Sequence, residues 1–125
     1  MSRRRAVMIL EDEVLVAFDL AGIVEDEGCE VVGPYHDVPE ALAALEDCVP
    51  DLAILDVNLG SNTSEPVAQK LETMKVPFAF VTGYSSGKAK VPARFPEAPC
   101  LPKPVQPREI VRLMRDELER SDSDG

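Results

Sequence analysis

Short apolar runs recur along this chain, each a few residues long and most of them ending in a charged or hydroxyl side chain. Arg5 to Leu10 (R-A-V-M-I-L) is the first, and Glu11, Asp12 and Glu13 follow it at once. Leu52 to Leu55 (L-A-I-L) leads into Asp56 and Pro77 to Val81 into Thr82, while Glu30 to Gly33 and Cys100-Leu101 are weaker copies. Runs this brief do not make helices, and runs this uniformly apolar have no wet side, so they predict strands buried on both faces of a sheet.

Helical patterns fill the gaps between them. Val14 to Glu27 carries Leu15, Phe18, Ile23 and Val24 at helical spacing, and Gly28 stops it. Asp37-Val38-Pro39-Glu40 supplies an N-cap acid, a first-turn proline and a Glu three residues on, opening the helix Ala41 to Asp47. Ser64 introduces Pro66 to Met74, and Pro107 starts a last helix whose stripe is Ile110, Val111, Leu113, Met114 and Leu118.

Strands alternating with helices at this spacing imply right-handed crossovers and a parallel sheet covered on both faces. The expected fold is α/β: a doubly wound, five-stranded parallel sheet in the flavodoxin-like order 2-1-3-4-5. Between the fourth and fifth strands, Ser85 to Pro99 holds Pro92, Pro96 and Pro99, which predicts a short or disordered fourth helix. With 125 residues, 45% of them hydrophobic, the chain suits a single domain. Its expected core is residues 5–120, with 121–125 a flexible tail.

A net charge of −10 argues against direct contact with nucleic acid, whose phosphates need Lys and Arg. No apolar run reaches the roughly 18 residues of a membrane span, so the expectation is a cytoplasmic protein without membrane insertion. Cys29, Cys48 and Cys100 form no C-x-x-C pair and His36 is the sole histidine, so neither a zinc site nor a disulfide framework is indicated. The cysteines read as small core residues in a reducing compartment, and His36 as a loop residue.

In an open α/β sheet, ligands bind beyond the carboxyl ends of the strands. Glu11-Asp12, Asp56, Thr82 and Lys103 stand at those ends, so three carboxylates, a hydroxyl and an ammonium are expected in one crevice. Clustered carboxylates repel one another unless a cation sits among them, and oxygen ligands of this kind suit Mg²⁺. A carboxylate is also a nucleophile toward phosphorus. Asp56 is placed to accept a phosphoryl group, with Lys103 and the Thr82 hydroxyl on its oxygens.

M-I-L-E-D-E, L-A-I-L-D-V-N-L-G, F-V-T-G and L-P-K-P together resemble the receiver domains of bacterial two-component response regulators (CheY-like) over nearly the whole chain. The resemblance implies Asp56 as phosphoacceptor, and Glu11, Asp12, Asp56 and the Asn58 backbone carbonyl as Mg²⁺ ligands. It also implies a cis Lys103-Pro104 bond. Receivers couple the hydroxyl to an aromatic two residues before the lysine; here that position is Leu101. F-V-T-G-Y resembles the FAT GUY single-domain subfamily, with the switch in Thr82, Gly83 and Tyr84 and order in Gly83 to Pro99 as its output.

The function this resemblance implies is a stand-alone, monomeric receiver in a Mg²⁺-dependent phosphorelay, catalysing only its own phosphorylation and dephosphorylation. It would take its phosphoryl group from a sensor histidine kinase of the HWE or a related class, or from a phosphotransfer protein. It would then signal, or act as a phosphate sink, through protein contacts. The alternatives are a small phosphatase of the haloacid dehalogenase type, which would need an Asp where Asn58 stands, and a non-phosphorylated interaction module. A flavin carrier is remoter, because acids follow the first strand.

Overall fold

The structure is a computed structural model and describes residues 4–60, 62–83 and 93–124. The element order is β1 (Ala6–Leu10), α1 (Val14–Asp26), β2 (Glu30–Tyr35), α2 (Val38–Asp47), β3 (Leu52–Asp56), β4 (Asn58–Leu59), β5 (Asn62–Thr63), α3 (Glu65–Thr73), β6 (Phe78–Thr82), β7 (Cys100–Pro102) and α4 (Pro107–Asp124). The main sheet is parallel, in the order β2-β1-β3-β6-β7, which is the doubly wound arrangement expected from the sequence. β4 and β5 form a small antiparallel hairpin that the strand pattern does not announce.

The central strands hold the molecule together. Val7 to Leu10, Leu52 to Leu55 and Ala79 to Val81 are each at most 1% exposed, and two apolar layers cover the sheet. On one side Ala41, Leu45, Val67, Ala68 and Leu71 of α2 and α3 pack on Met8, Leu55 and Phe80; on the other, α1 and α4 pack on Ile9, Ile54 and Val81. Fully burying each Leu or Ile stabilises by about 1.5–3 kcal/mol relative to leaving it in water.

Helix ends follow local chemistry. Asp37 caps α2, its Oδ1 accepting from Glu40 N at 2.9 Å. Gly28, at φ 82°, turns the chain out of α1 as a glycine stop should. The last helix continues to Asp124, through residues that the sequence reads as a tail.

Two expectations need correction. In α1 the buried residues are Ala17, Leu20 and Val24, whereas Leu15 and Phe18 are 79% and 75% exposed. The apolar spacing is genuine, but small Ala17 lets the helix lie close to the sheet, and the large side chains beside it face water. Among the cysteines only Cys29 is buried; Cys48 and Cys100 are exposed and all three are free. Of the stretch expected to lack a regular helix, Ser85 to Pro92 lies outside the described residues. Beyond it Phe95 is buried edge-on against Phe78, with ring centroids 5.5 Å apart, and Arg94 pairs with Glu65.

Candidate functional site at the carboxyl ends of the strands

Parallel pairing puts the ends of β1, β3, β6 and β7 side by side. Asp56 stands opposite Val81, one residue before Thr82, and Lys103 N donates to Thr82 O at 2.7 Å, which pins the lysine next to the β6 end. The Lys103-Pro104 peptide is cis, as is Gly33-Pro34. Glu11 leaves β1 fully buried, its N donating to Tyr35 O at 2.9 Å.

The side chains converge as the sequence order suggests. Ligand oxygens of Glu11, Asp12 and Asp56 all lie within 4.8 Å of one another. Lys103 Nζ reaches Glu11 Oε2 at 3.3 Å and Asp56 Oδ2 at 3.4 Å. Asp12 is exposed, Asp56 is 5% exposed, and the Lys103 side chain is 18% exposed. Asn58 opens the β4–β5 hairpin two residues beyond Asp56, and Thr82 and Gly83 are partly buried. Tyr84 lies outside the described residues.

One contact has no counterpart in the sequence reading. Glu13 Oε2 accepts from Lys103 Nζ at 3.0 Å, the shortest of the lysine's carboxylate contacts. Ninety positions separate the two residues, and E-D-E reads equally well as a solvated loop, so only the third acid's proximity to the K-P bend reveals it. His36 is exposed and its Nδ1 lies 2.9 Å from Glu11 O; because that carbonyl can only accept, the ring donates from Nδ1.

The electrostatics are those of an overfilled anionic pocket. Burial, then the charge of Glu11 and a hydrogen bond shared with it, push the Asp56 carboxyl up to about 8; Lys103 pulls the other way and a hydrogen bond with Asp12 adds to the rise. Burial works against the charge on Lys103, but the hydrogen bond to Glu13 and the charges of Glu11 and Asp56 more than offset it, and its pKa rises. Glu11 Oε1 is buried and 3.3 Å from Lys103 Nζ without the alignment of a hydrogen bond. An under-satisfied buried oxygen among all-oxygen donors fits a hard divalent cation held by Glu11, Asp12 and Asp56. Such a set can neutralise and orient a phosphoryl group beside a carboxylate nucleophile.

Known proteins resemble this chain. The family description "Response regulator receiver domain" matches residues 7–115. The transcriptional regulatory protein PdtaR of Mycobacterium tuberculosis is 35% identical over 82 residues, covering 65% of this chain and 40% of that protein. The phyllosphere-induced regulator PhyR of Methylorubrum extorquens is 35% identical over 121 residues, covering 90% of this chain and 43% of that protein. The chain therefore spans less than half the length of these two relatives. Among solved structures, SdrG from Sphingomonas melonis Fr1 superposes with a TM-score of 0.81 at 37% identity, over 94% of this chain and 99% of that one. A CheY-like receiver domain protein from Methanospirillum hungatei superposes with a TM-score of 0.86 at 25% identity, over 98% and 100% of the two chains.

Proposed function

This chain belongs to the response regulator receiver domain family, and we propose that it works as a phosphoacceptor in a two-component phosphorelay. Asp56 takes the phosphoryl group from a histidine kinase or a phosphotransfer protein, and the protein passes that state on, or drains it, through protein contacts. The observation that carries this reading is one buried carboxylate at the middle of the rim, with Lys103 Nζ 3.4 Å away and two further carboxylates within 4.8 Å.

In this reading Glu11, Asp12, Asp56 and the Asn58 carbonyl would hold Mg²⁺, and the ion would supply positive charge against the phosphoryl oxygens. Lys103 donates to one phosphoryl oxygen and the Thr82 hydroxyl to another. The chain's own catalysis is limited to gaining and losing this group. Leu101 is partly buried in the apolar layer of α1 and α4, where an aliphatic side chain has no ring to rotate in response to Thr82. The switch therefore runs through Thr82, Gly83 and Tyr84 into the order of the segment up to Pro99, as in FAT GUY receivers.

The phosphodonor approaches over α1. Val14, Leu15 and Phe18 are 68%, 79% and 75% exposed and follow directly on the acids of the site. A helical donor of the HWE kinase class, bringing a phosphohistidine to Asp56, can cover that patch as it docks. The protein acts as a cytoplasmic monomer whose partners are proteins rather than nucleic acid.

Incubation with Mg²⁺ and acetyl phosphate tests the reading. Native protein gains one phosphoryl group, about 80 Da by intact mass, and Asp56→Asn gains none. Equal gain in both would move the acceptor elsewhere, and turnover of phosphate monoesters would favour a phosphatase.

A further inference from the structure

Lys103 is claimed by more acids than the phosphoryl chemistry requires. Glu11 and Asp56 are buried and fixed beneath it, at 3.3 and 3.4 Å, while Glu13 holds it from the solvent side at 3.0 Å with a side chain 63% exposed. Glu13 is the N-cap residue of α1, yet its carboxylate makes no capping bond. Its backbone N donates to Glu11 Oε2 at 3.1 Å, so its side chain is free to reach across to the lysine. Caps favour Ser, Thr, Asp and Asn because those side chains bond back to the helix. A Glu here stabilises the ammonium instead of the helix end.

We propose that Glu13 is a positioning residue that competes with the incoming phosphoryl oxygens for the Lys103 ammonium and so acts as a brake on phosphorylation of Asp56. This rests on Asp56 being the phosphoacceptor. With acetyl phosphate, an Asp56 carboxylate oxygen forms a bond to phosphorus while the bond from phosphorus to the acetyl oxygen breaks, and the electron pair leaves on acetate. The arriving group brings negative oxygens that need Lys103. Asp56 gives up its carboxylate charge in forming the acyl phosphate bond, which leaves Glu11 from the interior and Glu13 from the solvent side as the acids that compete for the lysine, Glu13 at the shorter distance. An ion pair with one exposed partner is worth little in stability, but its loss is enough to change a rate several-fold.

The test is the rate of phosphoryl gain from acetyl phosphate with Mg²⁺, read by intact mass, in a double-mutant cycle. Glu13→Gln is expected to raise the rate about three-fold at unchanged melting temperature. Glu13→Asp, which keeps the charge on an arm one methylene shorter, should also rise above native. In a Lys103→Met background, Glu13→Gln should change nothing. An unchanged rate in Glu13→Gln overturns the brake, and so does a native rate in Glu13→Asp or an equal acceleration without Lys103, either of which would mean simple charge repulsion. Absence of phosphoryl gain in every variant, native included, would instead overturn the phosphoacceptor reading itself.

Discussion

The interior of the sheet and its carboxyl-end rim are one residue apart, yet burial has opposite consequences in the two. Leu10 and Leu55 are 0% exposed and apolar; the next residues, Glu11 and Asp56, are 0% and 5% exposed and acidic. In the interior, exclusion of water stabilises the fold by removing apolar surface from solvent. At the rim the same exclusion forces carboxyl groups together and raises the pKa of Asp56. The rim thus holds instability that a bound cation would relieve, a cost common at functional sites.

This contrast sets the size and sign of mutational effects. Ile110→Ala, at a fully buried position of α4, should destabilise by about 3 kcal/mol in urea unfolding, and a loss under 1 kcal/mol would mean the interior is looser than its burial implies. Asp56→Asn should do the reverse and stabilise the chain at pH 8 in the presence of chelator. The sign follows from the raised pKa: the folded state keeps a proton that an unfolded aspartate, with an ordinary value of 3.8, releases. Wild-type stability without divalent cation therefore falls as pH rises from about 4 to about 8, and the advantage of Asp56→Asn should vanish at the acid end. A pH-independent difference would contradict the electrostatic origin.

Adding Mg²⁺ should raise the melting temperature of the native chain by about 4 °C and that of Asp56→Asn by less, since a cation bound to the folded state alone stabilises it. The smallest effect on stability is expected on the outer side of α1. Phe18→Ala should change unfolding free energy by less than about 0.5 kcal/mol, because the ring is 75% exposed. The same substitution should slow transfer from a phosphohistidine-bearing partner while leaving the acetyl phosphate rate unchanged. A large stability loss would mean that the patch serves the fold rather than a donor.

The sequence carries the sheet because its strands are buried on both faces and so read as uninterrupted apolar runs; order, direction and the adjacency of the strand ends follow from that. It carries the convergence of Glu11, Asp12, Asp56 and Lys103 for the same reason. Four features escape it. The facing of α1 depends on how closely Ala17 approaches the sheet, which spacing alone does not reveal, and so Leu15 and Phe18 look like core. The β4–β5 hairpin is too short for a periodic signal, although N-L-G-S-N-T has turn composition and Gly60 sits at φ 68°. The reach of Glu13 to Lys103 is a tertiary fact with no local mark. Cys48 and Cys100 stand in water because small side chains at a helix end and an edge strand need no cover.

Borohydride trapping addresses the chemistry at Asp56 itself, since it reduces an acyl phosphate to an alcohol. Protein treated with acetyl phosphate and Mg²⁺, reduced and sequenced by tandem mass spectrometry, should carry homoserine at position 56 and aspartate at every other aspartate. Unreduced aspartate at position 56 in a chain that has gained phosphate would contradict phosphorylation there.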